Sequence, residues 1–294
     1  MIARLAQEAL LEEVYTTPKP GLVDCHDTGA HTDMDCQTFE KSAAAIAPYI
    51  AAMYELGGRW RDAPQGLFCA LRPLGLQAEQ AMLAATDGVN THKGAIFTFA
   101  ILAAAAGHCA AQGVRLTPQM IGAYAAEMIR EPLELEFAAM HGRTPKTHGE
   151  MLYSKYGIKG VRGQAQQGFP VITNLLCPLL QGLRSQGCDP QRVNLQLLLE
   201  SMAVLEDTCV LSRGTPDDLS WIQRQAAALL AQGGAFAPDA AQKLLALNAA
   251  CVQRNISPGG SADFLAAALF LEKLTRREDY ERNGSHTDRY AALS

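Results

Sequence analysis

The sequence predicts an all-α protein built as a single large bundle of helices, and three observations lead there. No segment sustains the apolar–polar alternation of a half-buried strand. Alanine and leucine are plentiful while valine and isoleucine are sparse, a composition suited to helices. Apolar residues recur at three- and four-residue spacings, and the breaks fall at proline, glycine and capping residues. The 294 residues are 48% hydrophobic and 19% charged, enough for one sizeable core without disulfides or a structural metal. Neither a repeat nor a long linker is visible, so residues 1–275 are expected as one domain and 276–294 as a polar tail.

Taken in order, Ile2, Leu5, Ala6, Ala9, Leu10 and Val14 mark a helix over 2–15. Thr16-Thr17-Pro18-Lys19-Pro20-Gly21 stops it, because two prolines and a glycine impose an extended turn. A loop dense in Asp and His follows, with Asp24, His26, Asp27, His31, Asp33 and Asp35. Phe39, Ala43, Ile46, Ile50 and Met53 share one face of a helix over 38–56. Residues 65–86 read as a helix broken or kinked near Arg72-Pro73; it carries Glu79 and ends at Thr86-Asp87-Gly88. Gly88 to Gly107 then reads as a polar turn opening a buried helix, capped by Asn90 or Thr91. Thr117-Pro118 starts the next helix in cap-then-proline order, and 134–142 is a further short one. The stretch 148–169 is partly helical, with breaks at Gly157, Gly160 and Gly163. Helices over 171–186, 190–206, 216–232, 238–254 and 261–277 complete the set, with cap-and-proline starts at Asp189-Pro190 and Thr215-Pro216.

A net charge of −5 and a pI near 5.8 argue against a nucleic-acid surface. None of the eight cysteines forms a CxxC pair, which fits reduced, mostly buried thiols and a cytoplasmic location. The N-terminus lacks a signal-peptide core. Residues 94–114 carry no charged side chain, but glycine, His108 and Gln112 interrupt them, so a buried central helix fits better than a membrane span.

Polar residues gather at helix ends in five places. At the first, free N–H groups and the helix dipole at 88–94 favour an anion, with His92 and Lys93 in reach and Gly88 and Gly94 allowing close approach. At Ser257-Pro258-Gly259-Gly260-Ser261-Ala262-Asp263, two glycines expose backbone N–H groups, Ser261 can cap, and Asp263 suits the dipole or a cation. Glu206, Asp207 and Thr208 suit magnesium, a hard ion that takes oxygen ligands, and Arg213 suits a phosphate. The 24–35 loop could hold a general base or metal ligands, and Arg162 is a weaker phosphate candidate. Each cluster also has a plain structural reading: capped core helices, solvated helix ends and Asx-turn loops.

Together the clusters TPKPGLVD (17–24), GAH-x-D (29–33), GVNTHKG (88–94), G-x-RG-x-A (160–165), the DT and SRG elements (207–214) and NISPGGSAD (255–263) resemble the triphosphoribosyl-dephospho-coenzyme-A synthase family. The resemblance spans about residues 5–275, and NTHKG followed by NISPGGSAD is its most specific part. Thr17 stands where serine is expected, Cys25 where a basic residue is expected, and Gln164 where glutamate is expected, which weakens a carboxylate role there. The resemblance implies an all-α fold and a reaction in which ATP and 3′-dephospho-CoA give 2′-(5″-triphosphoribosyl)-3′-dephospho-CoA and adenine. It implies further partners: a downstream prosthetic-group transferase and the acyl carrier protein subunit of citrate lyase or malonate decarboxylase. A homodimer is left open.

That reaction suits the residues. Lys19, Asn90, Thr91, His92, Lys93, Arg162, Arg213, Ser257, Gly259, Gly260 and Ser261 are candidates to bind the substrates, with Mg²⁺ expected alongside ATP. Glu206, Asp207 and Asp263 are candidate metal ligands, and Asp207 and Asp263 are also candidate stabilisers of an oxocarbenium-like state. Asp33, Glu79 and His31 are candidates for the base. The alternative is a metal-dependent ATP or ADP-ribose hydrolase that activates water in the same pocket; a third reading is a non-catalytic helical scaffold.

Overall fold

The computed structural model describes residues 1–113, 115–140, 144–145 and 147–291, without the side chains of 148 and 278–291. The described chain is all-α: thirteen α-helices and no strand are found among the described residues. They are α1 (Ile2–Val14), α2 (Cys36–Arg59), α3 (Pro64–Ala85), α4 (Lys93–Ala111), α5 (Pro118–Ala138), α6 (His148–Tyr156) and α7 (Gly160–Gln166). After them come α8 (Cys177–Ser185), α9 (Pro190–Val204), α10 (Thr208–Arg213), α11 (Pro216–Ala231), α12 (Ala240–Arg254) and α13 (Gly259–Ala291).

The centre is α4, apolar on every side, so it must be wrapped rather than leaned against. It packs on α2, α3, α5 and α13, while α1 lies on α2 and α13. Although α4 is long and apolar enough to cross a membrane, 72% of it is buried inside the fold. The α2–α4 contact is backbone to backbone: a Cβ on Gly57 would fall 2.0 Å from the Ala104 carbonyl oxygen, and one on Gly107 would fall 2.0 Å from that of Tyr54. The small residues of the AAAAG run are what let the two axes approach.

The cap-and-proline starts at α5, α9 and α11 form as expected. Thr117 accepts from the Met120 N–H, Asp189 from Arg192 and Thr215 from Asp218. Four boundaries differ from expectation. Helix α3 runs through Pro73 without a break, and α5 continues past Pro132 to take in 134–138. A π-helical turn, Val171–Leu176, opens the 171–186 segment, because Pro178 lacks the N–H that would bond back to Asn174. The backbone of α13 stays helical to Ala291, past the expected start of the tail. The predicted helix end at 141–142 and the last three residues of the tail lie outside the described residues.

Candidate functional site

The loop between α1 and α2 is locked by its own acids. Asp24 is buried and accepts from the Thr17 hydroxyl at 2.9 Å and from the N–H groups of Lys19 at 2.8 Å and His26 at 2.7 Å. Asn248 of α12 clamps the loop from outside, accepting from Gly21 N–H at 2.8 Å and donating to Asp27 at 2.9 Å. Thus Asp24 and Asp27 are loop staples. This anchoring turns Lys19, His31 and Asp33 inward.

They meet the Asn90–Gly94 corner, the end of α10 and the start of α13 around a pocket of about 340 Å³. Eleven expected site residues line it: Lys19, His31, Asp33, Asn90, Thr91, His92, Lys93, Arg213, Ser257, Gly259 and Asp263. The 88–94 and 255–263 corners touch: a Cβ on Gly94 would lie 2.1 Å from Asp263 Oδ2. Gly94 therefore makes room for a carboxylate, not for backbone approach to an anion as the sequence suggests.

Arg213 reaches in from the end of α10. It donates to the Ala30 carbonyl at 2.7 Å and to His31 Nδ1 at 2.9 Å. A third bond goes to Asn255 Oδ1 at 3.5 Å; all three partners are neutral and no carboxylate pairs with Arg213 among the described residues, so its charge is available to an anion. His31 Nε2 in turn bonds Ser257 Oγ at 2.8 Å. Burial and Arg213 hold the imidazole below its ordinary pKa, so it is neutral with both nitrogens engaged. In the ligand-free pocket His31 thus orients Arg213, with the Asp33 carboxylate 3.8 Å from its Nδ1.

His92 lies below this level, buried, with Phe39 edge-on at 5.0 Å between ring centroids. Thr91 Oγ1 donates to Ser42 Oγ, and Ser42 bonds His92 Nδ1, each at 2.6 Å. This donor chain leaves the proton on Nε2, which has no partner among the described residues. Burial, with Lys19 nearby, pulls the imidazole down to about 3. Thr91 consequently serves Ser42 rather than capping α4; Asn90 does accept from the Lys93 N–H at 3.2 Å. Lys19 is itself buried and ion-paired with Glu13 of α1, a pocket residue that sequence reasoning missed because it reads as one more charge on an amphipathic helix.

Asp263 forms part of the pocket wall, and no hydrogen-bond donor reaches its carboxylate among the described residues. Burial, then the Glu13 and Asp207 carboxylates, push its pKa well above the usual carboxylate range.

Asp207 is different. Its oxygens accept from Cys209 N at 2.9 Å, Gly260 N at 3.1 Å, Ser261 N at 2.8 Å and Ser261 Oγ at 3.0 Å. The anion expected at the start of α13 is thus Asp207 itself, which caps that helix from a distant segment. Burial still raises its pKa against those four bonds. Gly260 and Ser261 are taken by this cap and lie outside the pocket lining, as does Glu206, which is exposed. Glu206, Asp207 and Asp263 border a separate crevice of about 40 Å³. Among the described residues no group of three His, Cys, Asp or Glu is arranged to hold a metal ion. Glu79 and Arg162 line a neighbouring cleft, where Glu79 pairs with Lys93 at 2.9 Å. The Cys209 thiol in the pocket wall is pushed well above its usual value by burial and by Asp207 and Asp263, which makes it a poor nucleophile.

An all-helical protein whose pocket sets Arg213 near a carboxyl of raised pKa is the outline of an enzyme for a polyanionic small molecule. Residues 1–282 match the family described as ATP:dephospho-CoA triphosphoribosyl transferase, CitG. The chain is 39% identical over 281 residues to the probable 2-(5''-triphosphoribosyl)-3'-dephosphocoenzyme-A synthase of Vibrio cholerae serotype O1, covering 94% of this chain and 88% of that one. It is 39% identical over 282 residues to the synthase of the same name in Escherichia fergusonii, covering 95% and 92%. It is also 40% identical over 275 residues to the probable synthase of Citrobacter koseri, covering 93% and 90%. No solved structure matches. The chain belongs to the CitG family of triphosphoribosyl transferases.

Proposed function

We propose that this transferase moves the triphosphoribosyl group of ATP onto the 2′-hydroxyl of 3′-dephospho-CoA and releases adenine. The observation that carries this reading is the meeting of the Asn90–Gly94 and Ser257–Asp263 corners in one pocket with Arg213 and its unneutralised charge. Arg213 and the His92 N–H serve the triphosphate. Magnesium enters with ATP as part of the substrate, in keeping with an ion that binds through one or two carboxylates plus phosphates. In the reaction the C1′–N9 bond of ATP breaks and a C1′–O2′ bond forms. Asp263, whose raised pKa favours the protonated form, gives its proton to the departing adenine, and Glu79, paired with Lys93 beside the pocket, takes the 2′-hydroxyl proton; solvent then resets both groups. The product is the precursor of an acyl-carrier-protein prosthetic group, passed to a prosthetic-group transferase for citrate lyase or malonate decarboxylase.

Incubation with Mg-ATP and dephospho-CoA, followed by mass spectrometry, tests this. Adenine together with the coupled adduct is expected. Adenine with free triphosphoribose supports the hydrolase alternative, and no adenine overturns both. Lys93→Ala should abolish adenine release.

A further inference from the structure

A second cleft, of about 350 Å³, runs beside the pocket between α3, α4 and α5. Its volume falls in the range of small-molecule sites, about 300–1,000 Å³. The two cavities share Lys93, with Glu79 at the seam. Its walls are apolar: Phe68, Leu71, Leu76, Ile96, Phe97 and Leu133. Leu76 is 61% exposed, an apolar side chain presented to solvent beside a groove that no part of the described chain fills. Arg162 stands in the lining, where burial lowers its pKa and the Glu150 carboxylate opposes that shift. Arg72, also there, is already paired with Glu136 and stacked on Phe68.

On the reading given above, we infer that this cleft holds the acceptor substrate, with the pantetheine arm of dephospho-CoA along the Leu71–Leu76 wall and its diphosphate at Arg162. A two-substrate transfer needs the acceptor hydroxyl delivered to a pocket already filled by ATP, so its site must adjoin that pocket. The cleft opens at Lys93 and Glu79, where the hydroxyl has to arrive. A long, largely uncharged arm ending in a diphosphate matches a groove with an apolar wall and the Arg162 guanidinium in its lining. Arg162 is thus a substrate-binding residue, as the sequence suggests, but for the other substrate.

Gly75 supplies the test. A Cβ there meets nothing within 4 Å, so Gly75→Phe fills the cleft without touching the ATP pocket and replaces a helix-weakening glycine. Calorimetric titration with dephospho-CoA should show binding to the wild type and at least tenfold weaker binding to Gly75→Phe and Arg162→Gln. Pantetheine, which lacks the diphosphate, should lose binding in Gly75→Phe only. A folded Gly75→Phe protein that binds dephospho-CoA like the wild type overturns the assignment, as does a wild type that does not bind it. If dephospho-CoA binds through the cleft yet no adduct forms with ATP, the cleft stands and the transferase reading fails.

Discussion

Position 94 carries a hydrogen atom where any other residue would carry a Cβ in contact with the Asp263 carboxylate. Ala normally gains about 0.5–1 kcal/mol over Gly in a helix. In Gly94→Ala that gain is offset by displacement of Asp263, so the variant should unfold within a few degrees of the wild type while kcat falls at least tenfold. A folded variant with unchanged kcat for adenine release would remove Asp263 from the reaction. Asp263→Asn removes the transferable proton directly, and its stability has a defined sign. A carboxyl whose folded pKa is raised contributes stability that is complete below its ordinary value of 3.8 and is lost as pH rises through the folded value. Asn does not ionise. The variant should therefore melt above the wild type at pH 8, and that advantage should shrink at acid pH, while adenine release is lost. The wild-type kcat should itself fall as pH rises through the folded pKa.

Single helices give the clearest view of what the sequence could and could not reveal. The starts of α5, α9 and α11 were legible because cap and proline are neighbours in the chain. The start of α13 was not: its cap is Asp207, more than 50 residues away, and only the fold makes them neighbours. For the same reason the sequence did not reveal that Asp207 bonds Gly260 and Ser261. The pocket's rim was legible where one motif supplied it, as at Asn90–Gly94 and Ser257–Asp263. Glu13 and Ser42 were missed because each matters only through a partner on another element. Asp207→Ala should strand the Cys209 and Gly260 N–H groups and the Ser261 hydroxyl, at about 1–3 kcal/mol for each that stays dry, while the Ser261 N–H keeps the Pro258 carbonyl. Chemical denaturation should register a loss of at least about 3 kcal/mol. Loss below 1 kcal/mol would mean that water replaces the cap. Asn248→Ala leaves the core-facing Leu244, Leu247 and Cys251 of α12 in place. It frees the 16–35 loop, so KM for ATP should rise several-fold with little change in the unfolding midpoint.

The pocket draws its walls from both ends of the chain: α1 and its following loop, the start of α4, α10 and the start of α13. These pieces adhere in the ligand-free protein through the α1–α13 and α4–α13 contacts and the Asp207 cap. Arg213 sits on one side of them without a carboxylate partner among the described residues, and Asp263, its pKa raised by burial and by Glu13 and Asp207, sits on the other. A polyanion bound between Arg213 and the α4 corner would tie together segments about 120 residues apart, and unfolding of the whole domain would have to break that tie. Mg-ATP at 100 times its Kd should therefore stabilise the native state by about 2.7 kcal/mol, visible as a concentration-dependent rise of several degrees in the single unfolding transition. Arg213→Gln should abolish most of the rise without lowering the ligand-free midpoint, because the guanidinium bonds only neutral acceptors at the surface. A rise that survives in Arg213→Gln would place the triphosphate elsewhere in the molecule, and no rise in the wild type would mean that the pocket does not take ATP.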